Sequence, residues 1–329
     1  MFELSLAKDR WPLRVPFRTA TSCDIDTETL TVTMTWDGVT GRGEASGVHY
    51  HGETADSMAA QIDAVRDFLS ADLTFDAVSA LLPPGGARNA LDCALWDWTA
   101  RAENRPVWAL AGLTRPQPVR TTVTIGADTP EVMAVQARQW SAFGAVKIKL
   151  LGDDGDAERV RAVRAARPDA WLAVDGNQGF NVRSLGALMP TLVNAKVVLI
   201  EQPLPIGDDH LLNSFDVPIP FAADESIQTA QDLAALAAAY TVINIKLDKT
   251  GGLTGALDLA ARARAEGREV MVGNMVGTSL AMAPAWLAGQ GSNVVDLDGP
   301  LLLARDRASA ARYDDGQIEC PSELWGGGR

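Results

Sequence analysis

The sequence predicts an α/β chain in which a compact α+β unit precedes a barrel of repeated βα units. Residues 1–50 have the pattern of strands and residues 53–103 have the pattern of helices. After Pro116, short β-rich apolar runs alternate with runs rich in Ala, Arg and Leu. Strands followed by helices are typical of an α+β unit, whereas regular alternation is typical of α/β proteins. A length of 329 residues suits two intimately joined domains.

Two local patterns define the first unit. Residues 30–36 alternate apolar and polar side chains and end at Asp37-Gly38, which is a strong hairpin-turn pair. Leu91, Ala94, Leu95 and Trp98 fall on one helical face just after the breaker run 83–86. We therefore expect a β-hairpin followed by an amphipathic helix.

Eight predicted strands follow, and they recur roughly every 25 residues, as expected of βα units that close into a barrel. A doubly wound open sheet shows the same alternation, but it normally has fewer units and a glycine-rich turn after its first strand. The predicted strands are residues 121–125, 146–150, 171–175, 197–201, 220–224, 242–247, 269–273 and 294–297.

Composition excludes several classes of function. The chain carries 29 basic and 42 acidic side chains, a net charge of −13, which argues against nucleic acid or an anionic membrane as a partner. Three widely separated cysteines form no zinc spacing and no disulfide framework. With no signal-like or membrane-spanning stretch, the predicted location is the cytoplasm. The oligomeric state is left open, and a homo-oligomer is compatible with the sequence.

Three carboxylates end three successive predicted strands: Asp175, Glu201 and Asp224. Strand ends of a barrel meet at one mouth, so these side chains should converge there. Three negative charges at such a short distance destabilise each other unless a cation lies between them. A set of ligands that are all oxygen atoms favours Mg²⁺. The alternative is that each carboxylate caps a local helix.

Three lysines lie on strands of the same barrel. Lys147 and Lys149 are two residues apart on the second strand and therefore face the same side, while Lys246 belongs to the sixth strand, across the mouth. Neighbouring ammonium groups and a divalent cation should lower a lysine pKa toward neutrality. Two bases on opposite walls suit removal of a proton from one face of a carbon and its return to the other. The alternative is that the lysines only neutralise the carboxylates.

A proton next to a carboxylate is too weakly acidic for an unaided lysine, so the reaction needs a metal to stabilise an enediolate. Asp296 and Asp298 on the eighth strand face one way and could hold an ammonium group. An Asx-type turn in Asp298-Gly299-Pro300 explains Asp298 equally well.

Taken together, these motifs resemble the muconate-lactonizing-enzyme subgroup of the enolase superfamily, whose enzymes use a Lys base and magnesium. The resemblance covers nearly the whole chain. It implies a modified TIM barrel of the (β/α)7β type at residues 116–305, an N-terminal α+β capping domain at 1–115, and a C-terminal segment at 306–329 that returns to the capping domain. The resemblance rests on motifs that include Lys147-Ile148-Lys149, Val174-Asp175, Glu201-Gln202-Pro203, Ala223-Asp224 and Asn244-Ile245-Lys246-Leu247-Asp248-Lys249.

Within this subgroup, Asp296-Leu297-Asp298 is similar to the signature of dipeptide epimerases of the L-Ala-D/L-Glu type. The resemblance implies that Asp296 and Asp298 bind the dipeptide ammonium. It also implies one Mg²⁺ on the three carboxylates, acid/base catalysis by Lys149 and Lys246, and help from Lys147 at the substrate carboxylate.

One position departs from the pattern of the Ala-Glu epimerases. Their capping loop carries an arginine that pairs with the substrate glutamate, and the matching residue here is Asp24, with Arg18 a few residues earlier. An anionic Asp24 favours a neutral or cationic side chain instead. Two competing interpretations remain: another enzyme of the subgroup (an N-acylamino-acid racemase, an o-succinylbenzoate synthase or a cycloisomerase), and a metal-binding barrel without catalysis.

Overall fold

The computed structural model of the protein describes residues 2–327. An antiparallel sheet opens the chain, with β1 (Glu3–Arg18), β2 (Cys23–Trp36) and β3 (Val39–Ala45) in sequential order. Asp37 and Gly38 join the last two strands with positive φ angles of 51° and 75°. Positive φ at both central residues is the requirement of a type I′ hairpin turn, so the predicted hairpin is confirmed.

Four helices follow this sheet: α1 (Ala55–Ala64), α2 (Phe75–Leu81), α3 (Gly86–Ala102) and α4 (Val107–Leu110). The predicted helix corresponds to α3, which lies directly on β3. A Cβ atom at Gly43 would stand 2.1 Å from the carbonyl oxygen of Ala90, so only glycine permits this close approach. A buried core that includes Leu30, Val32, Met58 and Leu91 joins the sheet to its helices.

The second unit is an eight-stranded parallel sheet whose strands follow one another in chain order. All eight predicted strands are confirmed, most with shorter bounds: β5 (Val123–Ile125), β6 (Ala145–Lys149), β7 (Trp171–Asp175), β8 (Leu199–Glu201), β9 (Phe221–Ala223), β10 (Tyr240–Ile245), β11 (Glu269–Val272) and β12 (Val294–Val295). The sheet curls until its ends meet, where the Thr122 N–H donates to the carbonyl oxygen of Val295 at 2.9 Å.

Seven helices follow barrel strands within the described residues: α5 (Pro130–Gln139), α6 (Asp156–Ala166), α7 (Val182–Asn194), α8 (Leu247–Thr250), α9 (Leu253–Ala265), α10 (Ser279–Ala288) and α11 (Gly299–Leu302). The connections after β8 and β9 differ from the expected pattern, because they contain 3₁₀ turns at Asp209–Ser214 and Ala230–Ala235 instead of α-helices. Pro203, Pro205 and Gly207 interrupt the first of these connections at its start, where a helix would have to form.

Alternation along the strands separates two apolar layers. Val146, Ile148 and Leu150 face outward into the large core beneath the helices, as the strand period predicts. A small inner layer of Ala173, Leu199, Ala222, Val242 and Met271 fills the barrel axis. The interior is therefore packed, and polar side chains are left at the mouth.

The C-terminal segment runs back to the first unit. The hairpin of β13 (Arg312–Asp314) and β14 (Gln317–Glu319) pairs with β4 (Val119–Arg120). Beyond it, Trp325 Nε1 donates to the Cys93 carbonyl at 3.1 Å, and the Gly326 N–H donates to Asp97 Oδ1 at 2.8 Å. Both acceptors lie on α3. Across residues 2–327, every helix is too short or too polar to cross a membrane.

Candidate active site

The three predicted carboxylates lie together at the mouth of the barrel. Asp175 and Glu201 are the last residues of β7 and β8 and pair in register, and Asp224 follows β9 directly. All three are buried, and one oxygen from each lies within 4.8 Å of the others. Asp224 gives both oxygens to lysines rather than to a local helix end. The helix-cap alternative is therefore wrong for this residue.

Two of the predicted lysines approach this cluster from opposite sides. Lys149 ends β6 and donates to Asp175 Oδ2 at 2.6 Å, and Lys246 follows β10 and donates to Asp224 Oδ2 at 2.6 Å. Four places in the strand order separate β6 from β10. In an eight-stranded barrel that separation puts the two ammonium groups on facing walls, as the sequence predicts.

A cavity of about 560 Å³ opens above the cluster, between the barrel mouth and the N-terminal sheet. Lys149, Asp224 and Lys246 form part of its floor, and Asp24 is among the residues of the opposite wall. Asp24 is exposed and accepts a hydrogen bond from Ser22 Oγ at 2.7 Å. Within the described part of the chain, Arg18 does not line this cavity.

Lys147 and the Asp296/Asp298 pair form a second, deeper group. Lys147 Nζ donates to Glu201 Oε2 at 3.1 Å and forms an ion pair with Asp296. Asp298 accepts from the Thr124 N–H at 2.5 Å, on the first barrel strand, and makes no side-chain cap to α11. The local-turn alternative for Asp298 is therefore wrong.

Each of these three residues is 3% exposed, and none borders the cavity as the described residues outline it. Lys147 therefore lies between Asp296 and Glu201 and forms ion pairs with both.

The carboxylates of the cluster raise the pKa values of two buried lysines. Burial lowers the pKa of Lys246, but Asp224 and Glu201 raise it more, and the pKa of Lys246 lies above its ordinary value. Lys147 behaves in the same way, through Asp296 and Glu201. Among the protein's own groups, each of these lysines contacts carboxylates more closely than other ammonium groups. The sequence-based prediction of a lowered pKa includes a bound divalent cation and therefore stays a prediction. Burial and the neighbouring Asp175 raise the pKa of Glu201.

Sequence reasoning assigned no role to two residues that hold the cluster. Asn244 Nδ2 donates to Glu201 Oε1 at 2.6 Å. Lys249 Nζ donates to Asp224 Oδ1 at 2.7 Å. A signal for Lys249 was present, because a lysine in the turn directly after a barrel strand lies near the barrel mouth. Asn244 gives no comparable signal.

The fold and the site define an α/β barrel with a buried carboxylate cluster between two facing lysines. Residues 1–112 match the mandelate racemase / muconate lactonizing enzyme N-terminal domain, and residues 132–325 match the enolase C-terminal domain-like family. The chain belongs to the enolase superfamily, in its mandelate racemase / muconate lactonizing enzyme family.

Two curated relatives match much of the chain. The L-Ala-D/L-Glu epimerase of Escherichia coli (strain K12) is 40% identical over 319 residues, which are 97% of this chain and 99% of the relative. The N-acetyl-D-glutamate racemase of a Pseudoalteromonas species is 46% identical over 247 residues, which are 75% of this chain and 78% of the relative.

Two solved structures extend the comparison. An enolase family member from Agrobacterium tumefaciens with homology to dipeptide epimerases, with bound sodium and L-Ala-L-Glu, has a TM-score of 0.96 and 39% identity over 99% of this chain and 100% of its own. The dipeptide epimerase of Methylococcus capsulatus, in complex with Mg and L-Arg-D-Lys, has a TM-score of 0.89 and 31% identity over 97% and 96% of the two chains.

Proposed function

We propose that the protein is a magnesium-dependent dipeptide epimerase, an isomerase that inverts the α-carbon of the C-terminal residue of an L,L-dipeptide. The observation that carries this proposal is the pair of ammonium groups on opposite walls of one cavity, Lys149 on β6 and Lys246 after β10. The relatives that act on dipeptides support the substrate class.

Asp175, Glu201 and Asp224 would hold the magnesium ion. Three buried carboxylates with converging oxygens fit a hard divalent cation, and they offer neither nitrogen nor sulfur ligands. When bound, the ion would draw charge from the substrate carboxylate and so acidify the neighbouring α-proton. The chain's own ammonium groups contribute the remaining positive charge around the three carboxylates.

Lys149 and Lys246 move the proton. The lysine on one wall takes the α-proton as a neutral amine, and the lysine on the other wall returns a proton to the opposite face of the planar carbon. Asp224 and Glu201 raise the pKa of Lys246. Neutralisation of that carboxylate charge at a filled site therefore brings the amine form closer to neutral pH. We assign help at the substrate carboxylate to Lys147, which donates to Glu201 Oε2.

The two ends of the substrate differ in what they require. We assign the α-ammonium to the buried carboxylates Asp296 and Asp298, of which Asp296 forms an ion pair with Lys147. We assign the side chain being inverted to the wall that contains Asp24, Asp26 and Glu28. Arg10 lines the same cavity and forms ion pairs with Asp26 and Glu28, so Asp24 carries the charge of this wall that no described arginine offsets. That negative charge favours a neutral or cationic side chain over glutamate, and Arg18 does not line the cavity.

A second candidate is an N-acylamino-acid racemase. It is favoured by the 46% identity to an N-acetyl-D-glutamate racemase and by the ion pair that Asp296 already makes with Lys147. An acylated substrate carries no free ammonium, so it has no need for an unpaired carboxylate at that place.

One assay separates these candidates. We would follow exchange of the α-proton with deuterium by NMR for a library of L,L-dipeptides and for N-acetyl-amino acids. Fast exchange in dipeptides alone supports the epimerase, and fast exchange in the acylated substrates alone supports the racemase. Absence of exchange in both sets contradicts both, and would leave a barrel that binds metal without catalysis.

The domain boundaries at 115/116 and 305/306 stay predictions, supported by the return of the C-terminal segment to α3. The cytoplasmic location and the lack of nucleic-acid and membrane partners also stay predictions. The oligomeric state is open.

A further inference from the structure

Lys249 is a fully buried lysine that does not face the active-site cavity. It lies on the single-turn helix α8, and its side chain has 0% exposure. Its ammonium group makes three hydrogen bonds: to the Asp224 carbonyl oxygen at 2.6 Å, to Asp224 Oδ1 at 2.7 Å, and to the Asn244 carbonyl oxygen at 2.9 Å. An ammonium group has three N–H donors, so this geometry uses all of them.

We propose that Lys249 is a positioning residue for the metal site, which fixes the Asp224 carboxylate in the orientation that the cation and Lys246 require. This inference rests on the proposed function only in that it takes the three carboxylates to be metal ligands.

The division of the Asp224 oxygens supports this role. Lys249 occupies Oδ1, whereas Oδ2 accepts from Lys246, which lines the cavity. Because Lys249 also holds the backbone oxygen of the same residue, it restricts rotation of the Asp224 side chain. A carboxylate held at one oxygen keeps the other in a defined direction.

The same contact couples two ligands of the cluster. Lys249 holds the carbonyl oxygen of Asn244, and the Asn244 side chain donates to Glu201 Oε1 at 2.6 Å. The short stretch from residue 244 to residue 249 therefore fixes both Glu201 and Asp224. Loss of the Lys249 ammonium is expected to loosen Asp224 directly and Glu201 through Asn244.

The test measures metal affinity without any substrate. Protein stripped of metal with a chelator is titrated with MgCl₂ by calorimetry, as wild type and as Lys249→Met, which keeps the side-chain length and removes the charge. We expect affinity for Mg²⁺ to fall about 10- to 100-fold, as for other groups that orient metal ligands. Lys196→Met is the matched control, since Lys196 is an exposed lysine, and it should bind Mg²⁺ like wild type.

A double-mutant cycle with Asp224→Asn shows whether Lys249 acts through Asp224. We expect Lys249→Met to weaken Mg²⁺ binding much less in the Asp224→Asn background than in wild type. Equal losses in both backgrounds, or wild-type affinity of Lys249→Met, would overturn the proposal. If Lys249→Met does not fold, the same titration on Lys249→Gln decides, and wild-type affinity of that folded variant overturns it as well.

The outcome is separable from that of the proposed function. Weaker Mg²⁺ binding in Lys249→Met supports the positioning role even if no dipeptide proves to be a substrate. Conversely, dipeptide epimerisation by a Lys249→Met variant with unchanged Mg²⁺ affinity would leave the proposed function intact and remove only the positioning role.

Discussion

Lys149 and Lys246 face each other across the barrel mouth, four places apart in the strand order, and each donates to a separate carboxylate at 2.6 Å. Lys149 contacts Asp175 and Lys246 contacts Asp224, so the two ammonium groups do not share an acceptor. Each lysine can therefore change its protonation state without direct loss of the other's partner. This independence is what a two-base inversion requires.

The first prediction concerns the two lysines one at a time. Lys149→Ala and Lys246→Ala should each lower epimerisation by about 100- to 10,000-fold, the usual contribution of a general acid or base. Each variant should still exchange the α-proton of one epimer with solvent, because the remaining lysine faces that proton. NMR in D₂O, started from each epimer separately, measures both quantities. Loss of exchange from the same epimer in both variants would contradict the two-wall assignment.

The second prediction concerns the side chain being inverted. Asp24→Asn should raise kcat/KM for L-Ala-L-Glu about fivefold, which corresponds to removal of ~1 kcal/mol of repulsion in a solvated wall. The value for L-Ala-L-Leu should not change, since that substrate has no charge to repel. Steady-state kinetics on the two dipeptides gives the comparison.

Arg18→Ala is the matched control for this experiment. Arg18 is the last residue of β1 and pairs with Cys23, next to Asp24. It does not line the cavity as the described residues define it, so its removal should leave both values unchanged. A strong wild-type preference for L-Ala-L-Glu that is lost in Arg18→Ala would show that Arg18, and not Asp24, reads the substrate side chain.

Much of the barrel and its mouth was predictable, because simple periodicities control them. The strand period of two sets Lys147 and Lys149 inside and Val146 and Ile148 outside. The repeat of βα units brings Asp175 and Glu201 to adjacent strand ends. These features depend on the positions of residues along the chain. They depend very little on contacts between particular side chains.

The remaining details depend on contacts between distant segments. Asp296 meets Lys147 only because the last barrel strand closes against the first, and Lys249 reaches Asp224 only because α8 turns directly after β10. The raised pKa of Lys246 follows from these same contacts, since burial and nearby carboxylates act in opposite directions. No pattern in the sequence fixes which of the two effects is larger.

The third prediction tests the ammonium site. Asp298→Asn removes a negative charge but keeps a side-chain acceptor for the Thr124 N–H, so the fold should persist. If Asp298 binds the α-ammonium, kcat/KM for dipeptides should fall about 100-fold, because a charged hydrogen bond is lost in a buried place. The value for the N-acetylated amino acid should change far less. Full activity on dipeptides would exclude the ammonium role of Asp298.

The last prediction concerns stability and is independent of the active site. Asp92 on α3 is buried, and its oxygens accept from the Thr254 hydroxyl at 2.6 Å and the Thr254 N–H at 3.1 Å. Burial raises the pKa of Asp92 from 3.8 to about 6. Between these values the folded protein keeps a proton that the unfolded chain has lost, so the contribution of Asp92 to stability falls as pH rises.

Relative to Asp92→Asn, which cannot ionise, the wild type should therefore be most stable below about pH 4 and lose that advantage as pH rises through about 6. Urea unfolding of both proteins at several pH values between 4 and 7.5 gives the difference in free energy of unfolding. The exposed Asp216→Asn variant is the control, and its difference from wild type should stay nearly flat over this range because Asp216 faces solvent. An equally flat difference for Asp92→Asn would mean that the Thr254 hydrogen bonds compensate the burial of the charged form.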